Sequence, residues 1–332
     1  MRGCTRRLAW DFSDMKKSFL LTLFAAGLLT AGAAETNFFW KTNATSVALW
    51  SGEKVVWQFN FDPATANKPH FHPLALPGGE PLTAFSPPDH PWHYGLWFSW
   101  KFINGVNYWE YDAKTKLTAG TTSWQVEKIE THADFSARIE LALNYHPRES
   151  NQPLLTEHRV IAISTPAADG SYFMDWQLAF QAGDENLKFD RTPLPGEPGG
   201  KIFGGYAGLA LRFAKGFSDC RVAGTEDIGE FTNERYHFTS KGADYNGKFG
   251  EREVGVAMLD HPANPRYPGR WYAAVSPKKP FCFFNAAWLQ LKPYELPAHE
   301  KLMLQYRVVI HPGRWDSAKL VAEETKFAAN AR

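Results

Sequence analysis

Residues 173–181 read Phe173-Met174-Asp175-Trp176-Gln177-Leu178-Ala179-Phe180-Gln181, a run in which polar and apolar side chains largely alternate. Because successive side chains of a β-strand point to opposite faces, this run predicts a strand with one face on a core. Strands are also predicted at residues 46–50, 54–61, 123–129, 137–145, 158–164 and 302–310. The pattern favours antiparallel sheets over alternating strands and helices.

One helix is predicted at the C-terminal end, beginning at Asp316, with a modest apolar stripe. The stripe consists of Ala318, Val321, Ala322 and Phe327. Residues 192–205 are rich in Pro and Gly and are interpreted as a loop within one domain; a domain linker is the alternative. The predicted fold is therefore a single all-β domain over residues 34–332, a large antiparallel β-sandwich with one C-terminal helix.

The N-terminus has the pattern of a secretory signal peptide. Met15, Lys16 and Lys17 are followed by an apolar stretch over residues 19–29 and by the small residues Ala31-Gly32-Ala33. This pattern predicts a true start at Met15, a signal peptide ending at residue 33 with cleavage near Ala33, and a periplasmic or secreted protein. No later stretch is long and apolar enough to predict a membrane span.

Charge and cysteine content limit the possible partners. Removing residues 1–33 takes away five basic and two acidic side chains, so the formal charge changes from +1 to −2. A near-neutral chain is not expected to bind nucleic acid, which requires a basic patch. Two cysteines remain, Cys220 and Cys282, and they either pair in an oxidising compartment or stay as buried thiols.

Aromatic residues make up 15% of the chain and 13 of them are Trp. Tryptophan combines a large apolar face with one hydrogen-bond donor, which suits a core and also suits platforms for flat, hydroxyl-rich ligands such as sugars. Most of these rings are expected to fill the core.

The first candidate functional segment contains four of the eleven histidines. It comprises His70-Phe71-His72-Pro73-Leu74 and Pro87-Pro88-Asp89-His90-Pro91-Trp92-His93-Tyr94-Gly95-Leu96-Trp97. Histidine serves as general acid or base near neutral pH, and a carboxylate such as Asp89 can orient it. A divalent metal is an alternative, held by His70 and His72 on one strand face with His90 or His93. Histidines bonded to the backbone of a rigid loop are the structural alternative.

A second segment, Met258-Leu259-Asp260-His261-Pro262-Ala263-Asn264-Pro265-Arg266-Tyr267-Pro268, again places a histidine between Asp and Pro. Asn264 and Arg266 carry donors suited to hydroxyls, carboxylates or an oxyanion. The alternative is a β-turn whose Asp and Asn cap the backbone.

Residues 87–97 and 260–266, together with Gly204-Gly205 and Tyr306-Arg307-Val308-Val309-Ile310-His311, resemble the marker segments of the PmoA-like family, whose members are often labelled "methane oxygenase PmoA". The resemblance implies a galactose mutarotase-like β-supersandwich in a secreted protein of carbohydrate metabolism, without a settled activity. Many members carry histidines where this chain has Trp92 and Tyr94, and often an aromatic where it has Ile202. Methane oxidation is rejected, because the membrane-bound oxygenase subunit spans a bilayer and no spanning segment is predicted here.

The predicted function is a secreted enzyme acting on a glycoside or an oxidised (keto) sugar by histidine acid–base chemistry: hydrolysis, elimination or epimerisation. The alternatives are a non-catalytic carbohydrate-binding protein and a cell-envelope protein. The predicted catalytic residues are His90, His93, Asp89, His72 and His261. The predicted substrate-binding residues are Trp92, Trp97, Trp100, Asn264 and Arg266. The segments around His72, residues 89–97 and residues 260–266 are expected to meet at one rim of the sandwich. The sequence identifies no definite cofactor, and a divalent metal is an open alternative.

Overall fold

The computed structural model describes residues 37–112, 114–226, 231, 234–275 and 281–329. The predicted signal peptide, residues 1–33, lies outside the described residues. The described chain is mostly β-strand, with one helix near its C-terminal end.

Each of the seven predicted segments contains a strand with similar bounds, and further strands lie outside those segments. In chain order they are β1 (Phe38–Thr42), β2 (Ser46–Ser51), β3 (Lys54–Asn60), β4 (His70–Leu74), β5 (Leu96–Ser99), β6 (Phe102–Ile103), β7 (Val106–Asn107), β8 (Gly120–Thr131), β9 (Ala137–Pro147), β10 (Leu155–Ile163), β11 (Tyr172–Ala182), β12 (Leu187–Asp190), β13 (Gly208–Arg212), β14 (Phe217–Gly224), β15 (Glu234–Thr239), β16 (Gly242–Phe249), β17 (Arg252–Asp260), β18 (Arg270–Val275), β19 (Phe283–Ala286), β20 (Tyr294–Leu296) and β21 (Lys301–Pro312). The helix is α1 (Ser317–Ala329).

The strands form three antiparallel sheets. A nine-stranded sheet has the order β1-β2-β3-β4-β5-β13-β19-β18-β15, an eight-stranded sheet has the order β14-β16-β17-β21-β11-β10-β9-β8, and a four-stranded sheet has the order β20-β12-β6-β7. The predicted all-β fold with one C-terminal helix is confirmed. The alternation that predicted β11 is also seen in its burial, because residues from Met174 to Phe180 alternate between core and outer face.

The two large sheets pack face to face through aromatic and aliphatic side chains. The ring centroids of Phe71 and Trp176, from opposite sheets, are 5.8 Å apart, and those of Phe98 and Phe180 are 5.6 Å apart. Residues on both sides of the 192–205 loop, such as Phe189, join the same core. This inter-sheet layer supplies most of the apolar burial that stabilises the fold.

A second apolar cluster lies on the opposite face of the nine-stranded sheet. Adjacent side chains of β5 show this division, because Leu96 and Phe98 belong to the inter-sheet core whereas Trp97 belongs to the second cluster. Tyr272 of β18 and Phe283 of β19 join Trp97 in this cluster. This outer face is therefore covered by aromatic rings, and it carries the candidate site.

Helix α1 covers part of the eight-stranded sheet. Its buried side chains are Leu320, Glu324 and Phe327, spaced at four and three residues on one helical face. Of the predicted stripe only Phe327 is buried, and Val321 is exposed, so that part of the prediction was wrong. Within the described residues no helix has the length and apolar character needed to cross a membrane.

Candidate functional site

The loop that carries Asp89 and His90 is held by two consecutive turns. The backbone N–H of His90 donates to the Pro87 carbonyl at 3.0 Å, and that of His93 donates to the His90 carbonyl at 3.0 Å. The Ser86 hydroxyl donates to the Pro91 carbonyl at 2.9 Å. Prolines and these bonds fix the loop, as predicted from its composition.

Gly95 connects this loop to β5. Its φ of +67° lies in the left-handed region, and a Cβ atom at this position would lie 2.2 Å from the carbonyl oxygen of Phe71. Only glycine fits both conditions, so the loop and the strand meet at a fixed angle.

Three side chains form a hydrogen-bonded chain that ends at His90. A guanidinium N–H of Arg212 donates to Oδ2 of Asp89 at 2.7 Å, and Nδ1 of His90 lies 3.0 Å from the same oxygen. Although burial opposes ionisation, the bonds from His90 and Arg212 lower the pKa of Asp89. An ionised carboxylate only accepts, so Nδ1 of His90 carries the proton and Nε2 keeps a lone pair.

The position of His90 favours a base at neutral pH. Burial is the largest influence and lowers its pKa, opposed by Asp89, which raises it. The neutral imidazole therefore predominates near pH 7, with Nε2 as the nitrogen available to a ligand. The predicted orientation of His90 by Asp89 agrees with this geometry.

His93 lies behind His90 and is almost fully buried. Its ring centroid is 4.7 Å from that of His90, 5.0 Å from that of Trp97 and 5.1 Å from that of Phe283. Burial holds the pKa of His93 well below the ordinary value. His93 is thus a neutral ring packed among aromatics on the floor of the site, and its role as acid or base stays a prediction.

His90 and His93 line a cavity of about 400 Å³ on the outer face of the nine-stranded sheet. Its walls are mainly aromatic: Trp92, Trp109, Tyr206, Tyr272, Phe281 and Phe283. Its other polar lining groups include Glu110 and Arg235. A concave apolar surface with a few convergent polar groups is the usual form of a small-molecule site.

Glu110 lines the cavity and was not among the predicted site residues. Its Oε2 is bonded by the buried Lys101 ammonium and by Nδ2 of Asn107 at 2.6 Å, and its Oε1 accepts the Tyr206 hydroxyl at 2.8 Å. Burial alone would raise the pKa of Glu110, but Lys101 and the other donors lower it. The carboxylate is therefore ionised in the cavity wall. A single Glu between Trp109 and Tyr111 gives no sequence signal.

Arg235 was also missed, and it brings a cation to the cavity. It donates to the hydroxyl of Tyr272 at 2.6 Å, and its guanidinium carbon lies 5.1 Å from the ring centroid of Phe281. Arg235 lies on β15, the edge strand of the sheet, far in sequence from the histidine loop. No sequence motif links Arg235 to the histidine loop.

Two predicted binding residues were wrong. The side chains of Trp97 and Trp100 are fully buried, so neither ring has a face open to a ligand. Trp97 packs under the cavity against Trp109, whereas Trp100 packs in the inter-sheet core against Phe180 and Phe189. Trp92, by contrast, lines the cavity, and its role in substrate binding stays a prediction.

His70 and His72 lie on one face of β4, as predicted, because both rings stack on Phe85. Nδ1 of His72 is 3.0 Å from the Thr83 hydroxyl, and Nδ1 of His70 is 3.0 Å from the Lys68 carbonyl. Burial lowers the pKa of each to about 4. Neither lines the cavity of His90, so the predicted place of His72 on its opposite wall was wrong.

The four histidines proposed as metal ligands lie in two separate pairs, His70 with His72 and His90 with His93. In the part of the chain that the structure describes, the group of three metal-ligating side chains with closely spaced donor atoms is Glu127, Glu140 and His158. These residues lie on β8, β9 and β10, on the outer face of the eight-stranded sheet. His70 and His72 contribute to no such group with His90 and His93 among the described residues.

The second predicted segment lies by α1. The His261 ring centroid is 5.1 Å from that of Phe327, and Nδ2 of Asn264 donates to Oδ1 of Asp260 and to the Gln305 carbonyl, both at 2.7 Å. Arg266 donates to backbone carbonyls of residues 292 and 293. These bonds favour the structural alternative, and His261, Asn264 and Arg266 are not among the residues that line the cavity. The expected common rim is thus contradicted for this segment.

Asp260 makes stability depend on pH. Burial raises the pKa of its carboxyl to about 7, whereas an unfolded Asp titrates near 4. The contribution of this carboxyl to the free energy of unfolding is fully present below its pKa in the unfolded chain and is lost as pH rises through its pKa in the folded protein. We expect the free energy of unfolding of the wild type, relative to Asp260→Asn, to fall by about 2 kcal/mol between pH 5.5 and pH 7.5. Urea unfolding of both proteins measures it, and a constant difference would contradict the burial of this carboxyl.

A family model described as a family of unknown function, DUF6807, matches residues 46–324. The description does not carry the PmoA-like name, and the marker segments lie within the matched residues. No curated protein matches the chain.

Several solved structures are similar at low identity. One, from Klebsiella pneumoniae subsp. pneumoniae, is provisionally described as an aldose 1-epimerase: identity 9%, coverage 86% of this chain and 83% of that one, TM-score 0.44. A galactose mutarotase related enzyme from Lactobacillus acidophilus has 7% identity, coverage of 82% and 97%, and a TM-score of 0.40. A galactose mutarotase-like protein from Clostridium acetobutylicum has 12% identity, coverage of 82% and 94%, and a TM-score of 0.36. At these TM-scores the similarities carry no inference about activity.

Proposed function

The chain belongs to the DUF6807 family of unknown function, and we propose that it is a carbohydrate-active enzyme acting on a glycoside or an oxidised (keto) sugar by histidine acid–base chemistry. The observation that carries the proposal is the chain from Arg212 through Asp89 to His90, which leaves Nε2 of a neutral imidazole for a ligand in an aromatic cavity. A positioned base beside a binding cavity is the minimum that proton transfer requires.

The lining of the cavity supports a sugar as the ligand. Aromatic faces such as Trp92 and Trp109 suit the apolar faces of a sugar ring, while Glu110 accepts from hydroxyls and Arg235 donates to oxygens. A volume of about 400 Å³ lies in the range of small-molecule sites. The mixture of flat rings and few charges matches a hydroxyl-rich ligand better than a purely apolar one.

Elimination or epimerisation fits the lining groups better than hydrolysis by two carboxylates. Glycosidases of the common type place a second carboxyl opposite the first, and Glu110 is the carboxylate found among the described lining residues. In the proposed step, Nε2 of His90 takes a proton from the carbon next to the sugar carbonyl. The electron pair moves to the carbonyl oxygen, where Arg235 stabilises the negative charge.

The proposal includes the cellular location and the metabolic role of the enzyme. The signal-peptide pattern of residues 1–33 supports a periplasmic or secreted protein. The marker segments that resemble the PmoA-like family support a role in carbohydrate metabolism, with a carbohydrate or another small molecule as partner. Neither nucleic-acid binding nor methane oxidation is proposed.

A non-catalytic carbohydrate-binding protein is the second candidate. The aromatic wall, with Trp92 half-buried at its edge, would serve binding without any proton transfer. A cell-envelope role would use the same surface. Binding and turnover must therefore be measured separately.

We expect the mature protein to convert one or more members of a panel of plain and keto-oxidised glycosides, with or without a chelator, detected as new products by mass spectrometry. Trp92→Ala should weaken Kd about tenfold, since losing roughly 50 Å² of apolar contact costs about 1.3 kcal/mol. Trp50→Ala, at a half-buried tryptophan of β2 outside the cavity, is the matched control and should leave Kd unchanged.

Two outcomes would count against the proposed enzyme, and a third would change its chemistry. Binding to the panel without any product would favour the binding protein. Neither binding nor product would remove the carbohydrate function. An effect of chelator on turnover would restore the metal alternative.

A further inference from the structure

Cys220 and Cys282 lie side by side in the core, although they belong to different sheets. Cys220 is on β14 of the eight-stranded sheet, and Cys282 directly precedes β19 of the nine-stranded sheet. Their Sγ atoms are 3.4 Å apart, and both side chains are buried. Sixty-one residues separate them in sequence, so the fold alone has brought them together.

We propose that Cys220 and Cys282 form a disulfide that joins the two large sheets in the exported protein. The inference rests on the sulfur contact and on the proposed export, not on the carbohydrate function. Disulfides persist in oxidising compartments such as the periplasm. A small approach of the two sulfurs completes the bond, because side chains on facing sheets can rotate towards each other.

The reaction is thiol–disulfide exchange. The two thiols lose two protons and two electrons as the S–S bond forms. The oxidant is the disulfide of a thiol–disulfide oxidoreductase, whose own S–S bond breaks and which takes up both protons and electrons to become a dithiol. The contact with Cys282 and burial raise the pKa of Cys220, so its thiol is a poor nucleophile once the sheets have closed. The exchange therefore belongs to folding, and the finished bond is shielded from reductants.

The bond would also anchor the cavity wall. Phe281 and Phe283 flank Cys282 in sequence and point to the opposite side of the strand, into the cavity. Their ring centroids lie 4.9 Å from that of His90 and 5.1 Å from that of His93, respectively. A covalent bond behind this strand would hold the aromatic wall against the histidine loop.

The test is a thiol count on protein exported with its own leader into an oxidising compartment. Cells are lysed in denaturant with N-ethylmaleimide, so that buried thiols are also labelled, and the intact mass is measured. After leader removal only Cys220 and Cys282 remain. We expect no added label without prior reduction, two labels after reduction, and a linked Cys220–Cys282 peptide in an unreduced digest. Two labels on unreduced protein would overturn the proposal.

A melting experiment supplies an independent measure. The oxidised protein should melt roughly 5 to 10 °C above protein that has been reduced while unfolded and then refolded with reductant, because a bond closing a loop of this length restricts the unfolded chain. The double variant Cys220→Ala with Cys282→Ala should melt near the reduced protein and should not respond to reductant. Equal melting of the oxidised and reduced wild type would show that no bond links the sheets. Neither measurement involves a carbohydrate, so their failure would leave the proposed function in place.

Discussion

Replacing Glu157 with Ala is expected to lower the free energy of unfolding by about 3–5 kcal/mol. Glu157 and Arg159 point from β10 into the inter-sheet core, and their side chains are 0% and 1% exposed. Nε and Nη2 of Arg159 donate to the two carboxylate oxygens at 2.6 and 3.0 Å, and the Tyr145 hydroxyl also bonds the carboxylate. Removing the carboxylate leaves an uncompensated guanidinium in an apolar layer, which is the origin of the cost.

The matched control is Glu140→Ala on the neighbouring strand β9. Its partner Arg138 is 43% exposed, and exposed ion pairs contribute less than about 1 kcal/mol. Urea unfolding followed by tryptophan fluorescence measures all variants. The double variant Glu157→Leu with Arg159→Met should be close to the wild type, since it removes both charges together. A loss below 1 kcal/mol for Glu157→Ala would mean that water reaches Arg159.

The strands were predictable because the alternation of polar and apolar side chains is visible within a few consecutive residues. The same rule applied to β10 places Leu155, Glu157, Arg159 and Ile161 on one face, so it assigns two charged groups to the core. Composition-based interpretation treats such charges as surface groups. Only the partner strand, with Tyr145 opposite Leu155 in β9, reveals why the pair is tolerated.

The candidate site was predictable only where its residues are close in sequence. Asp89 and His90 stand out together, but Arg212 is 123 residues away and reaches Asp89 through the pairing of β13 with β5. Trp97 was misassigned for a related reason. Alternation shows that it faces away from the inter-sheet core, but it does not show that a second aromatic cluster covers that face.

We expect His90→Gln to reduce kcat/KM by about 100- to 10,000-fold on any substrate found in the panel, because a positioned general base contributes on this scale. The His90 side chain is 35% exposed, so the substitution should leave the melting temperature nearly unchanged. Trp97→Ala is the contrasting variant and should lose about 3–5 kcal/mol of stability, since its fully buried ring supports the cavity floor. The pair separates loss of chemistry from loss of packing.

Asp89→Asn tests whether the carboxylate acts through His90. Asp89 raises the pKa of His90, so removing its charge should lower that pKa further. On the acid limb of the kcat/KM profile, His90 becomes protonated and stops acting as a base, so this limb should move to lower pH in the variant. The plateau of kcat/KM should also fall, because the His90 ring is less well oriented. If Asp89 were only structural, Asp89→Asn would change the kcat/KM plateau or the protein's stability without shifting the acid limb of the profile. An unmoved limb, or a fully active His90→Gln enzyme, would remove His90 from the mechanism.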